Sequence, residues 1–238
     1  MSYKETLLEK FPNVILEREF VRRTYNLLKE LGFRDENTIA CVCCCRDEIS
    51  QTLPVLVRDV WGEAFNLAGL AGLFSAGRTG LNACLHHAPH HEGKERYVFY
   101  VAPHIGIDRR GNWGSVKRKG QNFDSSSCGA LWGFWTEIKE GKIKTAIDER
   151  DLEMCYLRIR LLRKLRFNHV PDLLELTLAA HEVTLEDIED DLQRLIDSKR
   201  SDYALFSGIQ INAPDTNYLV PLKAYALVDG RKKELSFV

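Results

Sequence analysis

The chain contains no uninterrupted apolar stretch approaching the roughly 18 residues of a membrane span, so no segment reads as a transmembrane helix. It also lacks net charge: 33 Lys and Arg stand against 34 Asp and Glu, a formal balance of -1. A nucleic-acid partner is therefore not expected from global electrostatics. The one local basic patch, "RRGNWGSVKRKGQ" (109–121), carries glycines that suit a structured loop better than a phosphate-tracking stripe. There is no Walker-type lysine loop, and the glycines of "GIDRRGNWGS" do not follow dinucleotide spacing. Internal repeats and low-complexity tracts are absent too. The opening "MSYKETLLEKFPNVILEREF" is too charged for a signal peptide and too acidic for a typical transit peptide.

The 238 residues suffice for a substantial core, and 45% hydrophobic with 28% charged residues is ordinary for a soluble globular protein. Seven cysteines, an odd number without a secretory signal, point to a reducing compartment and away from disulfides. The expected location is the cytoplasm, or an organelle stroma if an N-terminal extension has been removed.

Periodicity predicts an α/β fold. "LEREFVRRTYNLLKELGF" has the apolar spacing of an amphipathic helix, with Leu16, Phe20, Leu27 and Leu31 on one face, Leu28 near its edge, and Gly32 as a stop. "TIACVCCC" reads as a strand buried on both faces, the kind found in parallel sheets. "ISQTLPVLVRDVWG" then reads as a helix with Pro54 near its first turns. "RYVFYVAPHIGI" is a second strand, ending at His104, and "SSSCGALWGFWTEIKEG" is a helix capped by its serines and opened by Cys128. "DERDLEMCYLRIRLLRKLRF" and "VPDLLELTLAAHEVTLEDIEDDLQRLIDS" are periodic helices, the acidic run in the second being a wet face. "DYALFSGIQIN" and "NYLVPLKAYALVDG" form a hairpin about "APDT". The expected architecture is a mainly parallel central sheet flanked by helices, with a C-terminal helical segment and closing β-hairpin.

Four cysteines crowd into "CVCCCRDEIS" (41–50). Alternation puts Cys41 and Cys43 on the face of Cys45 and Cys44 on the other, so Cys41, Cys43 and Cys44 read as core. Cys45 stands at the strand's end, where α/β folds place functional groups, as do His104 and Cys128. A thiolate at a helix start is favoured by the helix dipole. These three residues make a candidate Zn²⁺ site with an open fourth position. They include no short-range Cys-x-x-Cys pair, which sets aside zinc-finger pairings. Two thiolates neutralise the ion, so such a site benefits from a carboxylate beside it and a cation to hold that carboxylate. Asp47 and Arg46 are of those types. The competing structural reading makes Cys45 and Cys128 buried apolar residues, His104 a hydrogen-bonded loop residue, and Arg46, Asp47 and Glu48 a solvated first turn. A thiol redox protein is the reading that the cysteine run alone invites.

"CRDE", "AGRTG", "HHAPHH", "PHIGID", "GQ…SSSCGAL", "DLEMCYL", "VPDLLELT", "AAHEV" and "FSGIQIN" occur in that order between about residues 15 and 230. Together they resemble the limiting-CO₂-inducible protein B/C family of algal carbon-concentrating systems, related in fold to the β-type carbonic anhydrases. The resemblance implies one α/β zinc-binding domain over 1–238: an N-terminal helical region (1–35), a zinc-site core (36–147) and C-terminal helices with a hairpin (148–238). It implies zinc ligands Cys45, His104 and Cys128, and a lyase that interconverts CO₂ and bicarbonate through a zinc-bound hydroxide. It also implies a homodimer. The alternative is a catalytically inactive zinc-binding scaffold acting in bicarbonate binding or complex assembly. β-type enzymes carry Cys-x-Asp-x-Arg, whereas position 49 here is Ile. The arginine partner expected for catalytic Asp47 is Arg46, with Arg78 of "GRTG" second. His86, His87, His90 and His91 are available as a proton shuttle, or are surface residues. Trp132 and Trp135 read as core or dimer contact.

Overall fold

A computed structural model describes residues 2–166 and 168–236. The chain runs α1 (Tyr3–Lys10), β1 (Ile15–Leu16), α2 (Glu17–Lys29), β2 (Ile39–Cys44), a 3₁₀ turn (Glu48–Ser50), α3 (Thr52–Trp61) and β3 (Ala64–Asn66). A second 3₁₀ turn (Leu70–Gly72) leads to α4 (Gly77–Leu85), β4 (His90–His91), β5 (Lys94–Ala102), β6 (His104–Gly106), β7 (Ser115–Val116) and β8 (Ser125–Ser126). Then follow α5 (Gly129–Glu140), α6 (Leu152–Leu162), α7 (Leu173–Leu195), β9 (Ser201–Asn212), β10 (Asn217–Val228) and β11 (Arg231–Glu234). Of the stretch expected to form the helix before Pro171, α6 covers its middle, and Phe167 lies outside the described residues.

The sheet order is β1-β10-β9-β5-β2-β3, with β2, β3, β5 and β9 mutually parallel along that path and β10 antiparallel to β9. The C-terminal hairpin therefore reaches the middle of the sheet, where β9 hydrogen-bonds β5. Both helix-covered faces explain why β2 is apolar throughout: Ala40, Val42 and Cys44 pack against α2 and α3, while Cys41 and Cys43 pack towards α4 and α7. The period-2 prediction for the cysteines holds. The composition points away from disulfides; Cys41 and Cys84 of α4 nevertheless face each other sulfur to sulfur, with Cα atoms 7.4 Å apart, wider than an ordinary disulfide spans. Both side chains are buried in the layer between β2 and α4, which faces them towards each other.

On α2 the inward stripe is Glu17, Phe20, Val21, Thr24 and Leu28, rotated from the expected one. Leu28 sits at its centre, Leu16 is exposed, and a carboxylate at Glu17 is buried. On α7 the periodic Ile188 and Leu192 are buried as expected, but Asp191 of the acidic run is buried with them.

Two sequence expectations about strand and helix ends are corrected. β5 does not continue to His104. Pro103 cannot donate to a ladder, so the strand breaks after Ala102 and resumes as β6, still beside β9 and in the same register, His104 opposite Gln210. Gly72, at φ +73, packs against this break; a Cβ there would lie 2.7 Å from the Pro103 Cα. Ser125 and Ser126 do not cap α5 either. They pair with β7, Ser127 is buried, and Cys128 itself is the N-cap residue.

Arg158 of α6, 7% exposed, donates from Nε and Nη2 to Glu137 of α5 at 2.9 and 2.7 Å. The Arg158 hydrogen bonds hold the Glu137 carboxyl below its ordinary value of 4.5. Glu137→Gln should cost about 1–3 kcal/mol in urea unfolding at pH 7, because it leaves a buried guanidinium without its counter-charge. A carboxylate with a depressed native pKa stabilises above its unfolded value and loses that contribution as pH falls through the native one. The gap between wild type and variant should therefore close below about pH 4; a gap of constant size would refute the ion pair.

Candidate metal centre

Three chain segments end together at the carboxyl side of the parallel strands. Cys45 follows β2 and is held by an isolated parallel bridge to Gly69. His104 opens β6 beside β9, and Cys128 caps α5. All three are at most 2% exposed, and their ligand atoms lie within 4.8 Å of one another. Cys45 Sγ and Cys128 Sγ are 3.6 Å apart. Two thiolates bound tetrahedrally at the usual 2.3 Å are separated by about 3.8 Å, so the sulfurs stand near the edge length of a Zn²⁺ site.

Protonation in the protein agrees with a cation's place. The Cys128 thiol donating to it draws Cys45 down to about 4, and the neighbouring His104 adds to that pull. The same bond and burial push Cys128 well up. Amide N–H groups of Ala130 and Leu131 also face Cys128, and a bound metal takes both sulfurs as thiolates. His104 Nδ1 bonds Asn212 Oδ1 at 2.8 Å, with Ser127 Oγ at 3.4 Å. Its Nε2 is buried with no hydrogen-bond partner. An orphaned imidazole nitrogen aimed at two sulfurs is what a Cys₂His donor set needs, and Zn²⁺ fits it.

Asp47 flanks the group, its Oδ2 3.7 Å from His104 Nε2. It also caps the turn Glu48–Ser50 through Oδ1, which accepts from Ile49 N at 3.3 Å. Burial opposes its ionisation. A hydrogen bond with Glu48, the His104 charge, the Ile49 amide and the Arg118 guanidinium together hold its carboxyl below the ordinary value.

Its guanidinium partner is Arg118, whose Nη2 donates to Asp47 Oδ2 at 2.8 Å. Arg118 also donates from Nε to Glu48 Oε1 at 2.5 Å and from Nη1 to Ser126 O at 2.8 Å. Both arginines expected beside Asp47 are engaged elsewhere. Arg46 reaches out of the site to Glu153 at 2.8 Å and to the Ala68 carbonyl at 3.1 Å. Arg78 pairs with Asp191 of α7 at 3.1 Å. Along an extended chain, Arg46 alternates away from Cys45 and Asp47, so adjacency in sequence put it on the wrong side. Sequence reasoning missed Arg118 although it lies in the only basic patch, and missed Asn212 although it ends the quoted "FSGIQIN".

The histidine cluster does not reach the site. His86, His87, His90 and His91 are exposed, and β4 pairs with the first residues of β5, His91 opposite Lys94. His104 lies past the other end of that strand, ten residues beyond Lys94 and so about 33 Å away along it. Beside the site is a cavity of about 650 Å³, walled in part by Ile49, Ile107, Val116 and Asn212, with Arg109, Arg110 and Lys117 also lining it. Among the described residues, no helix is long and apolar enough to cross a membrane.

The fold has solved counterparts. The crystal structure of limiting CO₂-inducible protein LCIB superposes with a TM-score of 0.80 at 30% identity, covering 97% of each chain. That of PtLCIB4, an LCIB homolog, gives 0.83 at 23% identity over 98% of this chain and 99% of that one. No curated protein sequence matches the chain. Residues 14–228 match the family model described as limiting CO₂-inducible proteins B/C, β carbonic anhydrases. With that match spanning most of its length, the chain belongs to the limiting CO₂-inducible B/C family of carbonic anhydrase-like proteins.

Proposed function

We propose that this protein interconverts CO₂ and bicarbonate at a Zn²⁺ held by Cys45, His104 and Cys128. The observation that carries the reading is the convergence of those three buried ligand atoms with an Asp47–Arg118 pair at their side. Membership of a carbonic anhydrase-like family supports the general kind of chemistry.

When bound, Zn²⁺ supplies the Lewis acidity that brings the ionisation of water within reach of neutral pH. The rest falls to the chain. Two thiolates cancel the ion's charge, so the reacting water needs further help to lose its proton. Asp47 gives it by accepting a hydrogen bond, which also turns the attacking lone pair towards the substrate. Arg118 favours the ionised form of Asp47 through one bond to Oδ2, and its bonds to Glu48 and the Ser126 carbonyl hold the guanidinium in place. It takes the place that Ile49 leaves in the β-type Cys-x-Asp-x-Arg pattern, arriving from a loop instead of the next turn. Ile49, Ile107 and Val116 offer CO₂ an apolar wall, while Arg109, Arg110 and Lys117 attract the anionic product. Hydration balances as CO₂ and H₂O giving bicarbonate and one proton, which passes to solvent.

Stopped-flow CO₂ hydration on the zinc-loaded protein tests this. Turnover well above buffer, falling sharply in Asp47→Asn with zinc retained, is the expected result. Zinc-loaded protein no faster than buffer would leave the inactive zinc scaffold as the correct reading.

A further inference from the structure

Glu17 is a carboxylate in the wrong place for a surface helix. It is 2% exposed, at the first residue of α2. No lysine or arginine contributes to its electrostatics. Its Oε1 accepts from Gln210 Nε2 at 2.6 Å and its Oε2 from Thr52 Oγ1 at 2.7 Å. Thr52 Oγ1 in turn accepts from Asn217 Nδ2 at 2.7 Å. Asn217 Oδ1 accepts from Asn212 Nδ2 at 3.2 Å, and Asn212 Oδ1 faces His104 Nδ1 at 2.8 Å.

Every link in this chain points one way. Asn212 Nδ2 also donates to the Ile49 carbonyl at 3.0 Å, and a backbone carbonyl can only accept. That contact fixes the amide orientation, so Asn212 presents its oxygen to His104. His104 must then be the donor at Nδ1. Asn217 is oriented by the same logic, since its oxygen faces the Asn212 NH₂. Thr52 receives N–H groups from Asn217 and, at 3.2 Å, from Gln210, so its own proton goes to Glu17. The helix start favours an anion at Glu17. Histidine ligands usually donate their second nitrogen straight to a carboxylate or carbonyl; here a carboxylate stands three residues removed.

We infer that Glu17 is a positioning residue for His104: its carboxylate terminates a one-way chain through Thr52, Asn217 and Asn212 that keeps the proton on Nδ1 and turns the Nε2 lone pair towards Cys45 and Cys128. This rests on the zinc reading above. Burial holds the Glu17 carboxyl above its ordinary value, and the bonds from Thr52, Gln210 and Asn217 offset part of that rise. Glu17→Gln breaks the chain, because an amide offers NH₂ where Thr52 needs an acceptor, or loses the charge that polarises it.

The test is zinc affinity of the full-length chain by competition with a chromophoric chelator, alongside nitrogen NMR of the His104 ring. Glu17→Gln and Thr52→Val should each weaken zinc about tenfold, the lower end of the range for groups behind a ligand. The double variant should lose no more than either single one, since both cut the same chain. Thr52→Ser, which keeps the hydroxyl, should restore affinity to within about twofold, and the ring should lose its pure Nδ1–H form only in the variants that weaken zinc. A merely structural Glu17 predicts a lower melting temperature with zinc affinity and ring tautomer unchanged, and that result overturns the inference. If the wild-type chain itself takes up no zinc, the metal reading falls and the inference with it. If it binds zinc and all variants bind equally, only the inference falls.

Discussion

Cys128→Ala should abolish stoichiometric zinc. The wild-type chain is expected to retain one zinc through gel filtration, and the variant less than a tenth of one, with CO₂ hydration at the buffer rate. Losing a group that only supports a ligand costs about 10–100-fold in metal affinity, so losing a ligand should cost on the order of 10²-fold or more. The cause is geometric as well as chemical. Cys128 offers its sulfur from a helix N-terminus, 3.6 Å from Cys45 Sγ, and alanine leaves two of the three ligand atoms. Cys43→Ala and Cys44→Ala serve as controls. Both are as buried as Cys45, yet they pack into opposite faces of β2 and should keep full zinc. Zinc lost from those variants but kept in Cys128→Ala would mean that the cysteine run, not the three-segment site, binds the metal.

Arg118→Ala should lower kcat by about 10²-fold while zinc content stays at one per chain, a loss within the usual range for acid–base assistance. Removing the guanidinium leaves Asp47, 11% exposed, without its main cation. The carboxylate is then free to rotate off the reacting water. Arg118→Lys should recover little, because a single ammonium cannot hold Asp47, Glu48 and the Ser126 carbonyl at once. Arg46→Ala and Arg78→Ala should stay within about threefold of wild type, since their partners are Glu153 and Asp191. Equal losses in Arg46→Ala and Arg118→Ala would show that the pairing in this structure is not the one used in turnover.

The contrast between Arg46 and Arg118 shows how far the sequence could be read. β2 was legible because six apolar, partly β-branched residues in a row fit only a strand covered on both faces. The three candidate ligands that converge were legible because strand ends and helix starts in α/β folds collect functional groups, and because the ordered motifs resemble one family. Details at those ends were not legible. Pro103 turns one expected strand into two, and Ser125 and Ser126 pair as β8 instead of capping a helix. The first follows from the proline's missing N–H, and in the second a ladder with β7 overrode the local capping preference.

The buried carboxylates were hidden for a related reason. Glu17 and Asp191 sit in helices whose periodicity marks polar positions as wet, and only the packed neighbours reveal otherwise. The histidine cluster was misplaced in the opposite direction: four ligand-type side chains in six positions invite a functional role, but the strand that follows carries the chain the full width of the sheet before it reaches the site.

By itself the sequence determined the α/β class, the strand that bears Cys45, the helix behind Cys128 and that Asp47 is the carboxylate next to the Cys45–His104–Cys128 group. Those features depend on local periodicity and on where elements begin and end, which neighbouring residues encode. Only the tertiary structure decided which arginine meets Asp47, which amide holds His104, and that Glu17 is buried behind them. Arg118 is 71 residues from Asp47 and Gln210 is 193 from Glu17. Contacts at such separations are set by the pairing of β6 with β9 and by the loop between β7 and β8, where packing and hydrogen bonding repay the entropy of closing the chain.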